Sequence, residues 1–279
     1  MNQSPKSVAG NIFGTFPSQD HTPNTKTAVP MTTKVDNDRI HHPRSLIFEL
    51  TGLVGELACV FLKHVPLDPE PGSSKEASSL ETHSNDKEQD DFVISKPTAN
   101  EEVARSMGKI LLKLFELSHS LSIKLGGAIR RKMALNNKKY PAEICRGKAG
   151  KYTEYSSITG ISKEVGQSTL HENEEDSEQE TLSSFLESLE SLREDISQFA
   201  RAREWARYHT PRNLVLALLG ELGELAELFQ WRGDSSGIES ISAKDLDKIG
   251  QELADVTIYL LRLSDVCGVD LKCEVEESL

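Results

Sequence analysis

The segment 209–229, HTPRNLVLALLGELGELAELF, is almost continuously apolar, yet Glu221, Glu224 and Glu227 are set into it. Its leucines at 214, 218, 222, 225 and 228 recur at helical spacing, as do Leu253, Val256, Leu260 and Leu263 further on. Few stretches alternate as half-buried strands do, so the chain reads as all-α. The segment also has a partner. Laid over HHPRSLIFELTGLVGELACVF at 41–61, it is identical at His41, Pro43, Arg44, Leu46, Leu50, Gly52, Gly55, Glu56, Leu57, Ala58 and Phe61, an internal repeat with offset 209 − 41 = 168. A second echo, LLKLFELSHS (111–120) over TIYLLRLSDV (257–266), has an offset of 146, so the connection between the two helices is shorter in the second half.

Polar stretches punctuate this pattern. Residues 1–39 and 66–98 lack apolar periodicity, and the acidic run HENEEDSEQE falls in a stretch at 156–181. The sequence therefore predicts a disordered N-terminus, a first repeat over 40–155 with a disordered insertion at 66–98, an acidic linker, and a second repeat over 182–279. The second repeat is expected as helices over about 184–207, capped by Ser183 or Ser184, 211–231 and 243–266. The first half should supply helices at 43–63 and 102–125 and a further one near 126–140. Amphipathic helices need partners for their apolar stripes, so the two halves are expected to pack as a pseudo-dimer and the chain to form homo-oligomers. A net charge of −12 argues against nucleic acid as a partner. The most apolar windows each contain Glu, which argues against a membrane span. Cys59, Cys145, Cys267 and Cys273 form no CxxC pair, so a reducing compartment is expected: the cytoplasm, with nucleus or organelle as alternatives.

Glu221 and Glu224 are three residues apart, as are Glu252 and Asp255, so each pair leaves one face of its helix. Buried like charges repel unless a cation lies between them. Two facing pairs make an all-oxygen site suited to Mg²⁺ or Mn²⁺. The blander reading, solvated faces of amphipathic helices, is weakened by the leucines around them. Glu227 lies further round the helix and reads as a surface or supporting residue.

GELGELAELFQW followed by ELADVTIYLLRLSDVCGVDL resembles the MazG-like all-α nucleoside triphosphate pyrophosphatases, and among them the eukaryotic dCTP pyrophosphatases. The good match covers about 184–271, the degenerate one about 41–155. The resemblance implies Mg²⁺-dependent hydrolysis of a nucleoside triphosphate, dCTP or a modified dCTP, to the monophosphate and pyrophosphate. It assigns the metal to Glu221, Glu224, Glu252 and Asp255, and the base to Trp205, His209, Trp231 and Tyr259. Ile196 stands where dCTP-binding members carry a histidine. In the first half, Leu53, Ser106 and Lys109 replace three of the four carboxylates, leaving Glu56, and Lys63 replaces the tryptophan. That half keeps RKMALNNKKYPAEICRGKAGKYTEY (131–155), similar to the family's C-terminal helix and tail, which the second half lacks. Lys132, Asn136 and Tyr140 are therefore expected to be lent to the catalytic half. The competing reading is an inactive helical scaffold or oligomerisation protein derived from the same family.

Overall fold

The computed structural model describes residues 42–64, 97–148, 179–233 and 240–279, which fall in the unit Asn37–Leu279. Every regular element among the described residues is helical. They are α1 (Pro43–His64), α2 (Pro97–Ser120), α3 (Leu125–Lys139), the short α4 (Ala142–Cys145) and α5 (Leu182–Ala202). A 3-10 turn at Ala206–Tyr208 leads to α6 (Pro211–Glu227), α7 (Ala243–Cys267) and α8 (Leu271–Glu276). The expected N-terminal segment 1–39 lies outside the described residues, as do nearly all of the insertion 66–98 and the linker 156–181.

Helix α1 packs along α2, α6 along α7, and α2 meets α7. Helix α3 follows α2 in the chain but lies on α7 and α5, while α8, which follows α7, lies on α2. One buried apolar cluster runs through these helices, from Leu46 and Leu50 of α1 through Met107, Ile129, Phe185 and Leu218 to Leu253 and Val275. By length and composition α1 is also apolar enough to span a bilayer, a property the glutamates in that window do not remove. Here it packs against α2 and α6, with Leu46, Leu50, Val54 and Leu57 inaccessible to solvent. All four cysteines are free.

Helix ends differ from the sequence expectation in instructive ways. Thr181, rather than Ser183 or Ser184, caps α5: its hydroxyl accepts from the Ser184 N–H while the Ser184 hydroxyl accepts from the Thr181 N–H. α5 ends at Ala202 and not near 207, because Glu204 adopts a left-handed φ of 54° and the Trp205 N–H turns back to the Ala200 carbonyl. A glutamate in that conformation carries no sequence signal; a glycine would have. α6 ends at Glu227, not 231, where Leu228, Phe229 and Arg232 donate their N–H groups three residues back, the tightening common at helix ends. The second half does end in a helix, but α8 has only 6 residues and runs along α2.

That last contact is close. A methyl group added at Gly108 of α2 would lie 2.9 Å from the Glu274 Cβ and 3.3 Å from its carbonyl carbon, whereas one added at Gly220 of α6 would meet nothing within 4 Å. Gly108→Ala is therefore expected to lower stability by about 1–3 kcal/mol despite the better helix former. Gly220→Ala should raise it by up to about 1 kcal/mol. Urea unfolding midpoints check both, and a stabilising Gly108→Ala would show that α8 is not seated on α2.

Candidate active site

Thr210 caps α6 by accepting from the Asn213 N–H, with Pro211 at the first helical position, and Ser242 caps α7 by accepting from the Asp245 N–H. The link between the two helices is fastened at its ends. Arg232 donates to Asp245 at 3.0 Å, and Arg44 of α1 donates to the Arg232 carbonyl at 2.6 Å. These anchors set the register in which Glu221 of α6 faces Glu252 and Asp255 of α7.

Carboxylate oxygens of Glu221, Glu252 and Asp255 lie within 4.8 Å of one another. Burial, followed by repulsion from Asp255, Glu224 and Glu252, pushes the Glu221 carboxyl up to about 7. Burial also raises Glu252 and Asp255, against the pull of Lys132. Lys132, on α3, forms an ion pair with Asp255, and both side chains are largely withdrawn from solvent. Burial works against the Lys132 charge, but the attraction of Asp255 holds its ammonium above the usual lysine range. One oxygen, Oε2 of Glu252, is buried with no hydrogen-bond partner among the described residues. A buried anionic oxygen in that state calls for a proton or a cation. Three converging carboxylates, one with an unpartnered oxygen, fit a hard divalent ion with oxygen ligands.

A cavity of about 110 Å³ opens beside these groups, bordered by Lys132, Glu221 and Asp255 and by Tyr140, Trp205, His209 and Tyr259. Asn136 also reaches it. The volume is below the roughly 300–1,000 Å³ of sites that enclose a drug-sized ligand, so a single planar ring is what it can hold. Trp205 meets Tyr140 and Phe199 edge to face, at centroid distances of 5.6 and 5.7 Å. Its indole N–H donates to the Lys148 carbonyl at 2.7 Å. His209 accepts at Nδ1 from Arg262 Nε at 3.1 Å, and burial followed by the nearby Arg262 charge depresses its imidazole to about 4.

The α3 side of the cavity is tied down by Arg203, which sequence reading passes over. Its buried guanidinium donates to the Tyr140 carbonyl at 2.8 Å, the Phe199 carbonyl at 2.9 Å and the Asn137 side chain at 3.1 Å, and lies 3.5 Å over the Phe199 ring. Gly147 extends the seam: its N–H donates to the Arg203 carbonyl and its own carbonyl accepts from the Tyr208 hydroxyl.

Two expected site residues are exposed to solvent. Glu224 is exposed and lies outside the cluster of three carboxylates. Trp231 is 89% exposed and does not border the cavity, since α6 stops four residues before it. Arg262, by contrast, borders the cavity and went unremarked in the sequence, although it follows Asp255 by seven residues and Tyr259 by three, in the same helical line.

No family model and no solved structure matches the chain. Among curated proteins it is 49% identical over 84 residues to dCTP pyrophosphatase 1 of Rattus norvegicus, covering 30% of this chain and 49% of the relative. It is 48% identical over 88 residues to dCTP pyrophosphatase 1 of Homo sapiens, covering 31% and 52%, and 48% over 84 residues to that of Bos taurus, covering 30% and 50%. The chain spans about half the length of the curated relatives it matches. Over those 84–88 residues the chain is similar to curated dCTP pyrophosphatase 1 proteins, and its described elements are all helical.

Proposed function

We propose that the chain hydrolyses dCTP or a modified dCTP to the monophosphate and pyrophosphate, using Mg²⁺, or Mn²⁺ in its place, held by Glu221, Glu224, Glu252 and Asp255. The observation that carries this reading is the unpartnered, buried Oε2 of Glu252 within a cluster of three carboxylates beside a ring-sized cavity. A divalent cation bound there screens the triphosphate and lends Lewis acidity to the reaction. Lys132, now paired with Asp255, would offer its ammonium to phosphate oxygens of the substrate. Exposed Glu224, one turn along α6 from Glu221, is the fourth ligand in this reading. Trp205, His209 and Tyr259 hold the base, with Asn136 and Tyr140 closing the α3 side. The halves are read as a pseudo-dimer in which α3 serves the carboxylates of the other repeat, and copies of the chain as associating through the exposed Phe48 and Leu216 faces of α1 and α6. Localisation in the cytoplasm accompanies this reading.

One observation favours the inactive-scaffold alternative: the Lys132 ammonium already supplies positive charge to Asp255. A coupled pyrophosphate-release assay with dCTP separates the two. Glu252→Gln should lower turnover by at least about 100-fold, as expected for loss of a metal ligand. Glu56→Gln, on the exposed face of α1, should leave turnover within about twofold. Turnover retained in Glu252→Gln, or undiminished by EDTA, would rule out the proposed metal site.

The carboxylate cluster also predicts a pH dependence that needs no substrate. Glu221 binds its proton more tightly folded, near 7, than at its ordinary 4.5. The Glu221 contribution to stability without metal is therefore full below pH 4.5 and is lost as the pH rises through about 7. Added Mg²⁺ should raise the melting temperature more at about pH 8 than at about pH 5, because protons compete with it for the carboxylates. An equal shift at both values would mean the cation binds elsewhere.

A further inference from the structure

Helix α7 presents Glu252, Asp255, Tyr259 and Arg262 at spacings of three, four and three residues, which is one line along its surface. Asp255 and Arg262 are thus separated by about 10 Å of helix, with the carboxylates at one end of the cavity and a guanidinium at the other. Arg262 is 8% exposed and is positioned by its neighbours. It ion-pairs with Asp265 through Nη1 and donates from Nε to His209. Asp265 is clamped from its other oxygen by Arg193 of α5, which also pairs with Glu190. Two guanidiniums and two carboxylates therefore balance, and the array has no spare negative charge.

This arrangement fixes the hydrogen-bond character of the far end of the cavity. Arginine can only donate, so Nδ1 of His209 must accept, and its proton sits on Nε2. Arg262 Nη2 has no hydrogen bond to any described residue, and both residues border the cavity. The apolar Ile196 forms the adjoining wall and offers no acceptor. The polar groups that Arg262 and His209 themselves offer at this end are therefore donors. A ring edge with two adjacent acceptors, such as N3 and O2 of cytosine, can be satisfied there. Thymine or uracil presents an N3–H, which would leave a donor facing donors and a buried polar group unpaired.

We infer that Arg262, positioned by Asp265 and coupled to His209, is the residue that selects the base, and that it selects for the acceptor edge of a cytosine ring against thymine. The inference rests on the reading of this cavity as a base site and deepens it. Its test is equilibrium binding of dCMP and dTMP, followed by Trp fluorescence, to the full chain and to Arg262→Gln and Arg262→Lys, with folding verified by circular dichroism and melting. Wild-type protein is expected to favour dCMP by at least about tenfold, the discrimination typical of one polar contact left unmade. Both variants should bring that ratio close to one, because a lysine cannot bridge Asp265 and His209 as a planar guanidinium does. The 3-deaza analogue of dCMP, which lacks the N3 acceptor, should bind wild type as weakly as dTMP does.

A folded Arg262→Gln that keeps the wild-type ratio overturns the inference, as does equal binding of dCMP and dTMP by a wild type that hydrolyses dCTP; the latter leaves the hydrolase reading standing. Preferential dCMP binding that depends on Arg262, in a chain that hydrolyses no triphosphate, supports the inference and overturns the hydrolase reading. If dCMP does not bind at all while dCTP is turned over, the base is held elsewhere and Arg262 is not its selector.

Discussion

Three carboxylates held within 4.8 Å of one another, on the facing sides of two packed helices, impose the condition that the rest of the structure has to meet. Such a cluster is unfavourable in a helical bundle unless protons or cations share it. Part of that need is met by Lys132, which reaches Asp255 from a helix that belongs, by sequence, to the other half of the chain. Protonation meets another part, as the raised Glu221 carboxyl shows. The Glu252 oxygen without a partner marks what is left unmet.

The placement of α3 follows from the same condition. Leu125, Ile129 and Met133 are buried on one face, which seats the helix on α5 and α7, and this seating carries Lys132 to the carboxylates and Tyr140 to Trp205. Arg203 then locks the C-terminal end of α3 to that of α5 through two hydrogen bonds, to the Tyr140 carbonyl and the Asn137 side chain, while a third holds it to Phe199 of α5. Packing, positioning and charge compensation are thus accomplished by one helix, and a change at Arg203 should be felt at the cavity although Arg203 belongs to the seam behind it.

Much of this was legible in the sequence because it depends on local periodicity. Helical spacing of leucines locates α1, α6 and α7, and the Glu-x-x-Glu and Glu-x-x-Asp pairs single out the positions from which Glu221, Glu252 and Asp255 converge. What was not legible depends on single side chains acting across the fold. The end of α5 rests on a left-handed Glu204, where sequence expects glycine. Arg262 looks, in LLRLSD, like a charge interrupting an apolar stripe; only the approach of His209, and of an Asp265 held in turn by Arg193 from α5, positions it at the cavity. Trp231, assigned with the base-binding aromatics from its place in the motif, is left in solvent because α6 unwinds before reaching it.

The chemistry proposed for the carboxylate cluster depends on its taking a divalent cation in competition with Lys132. Titration of Mn²⁺ into the metal-free chain, followed by electron paramagnetic resonance, measures that directly when wild type and Lys132→Met are compared. Removing a competing positive charge beside Asp255 should tighten Mn²⁺ by about tenfold, roughly the strength of one hydrogen-bonded charge contact. Wild-type protein that binds no Mn²⁺, or a Lys132→Met variant that binds it no more tightly, would contradict the account.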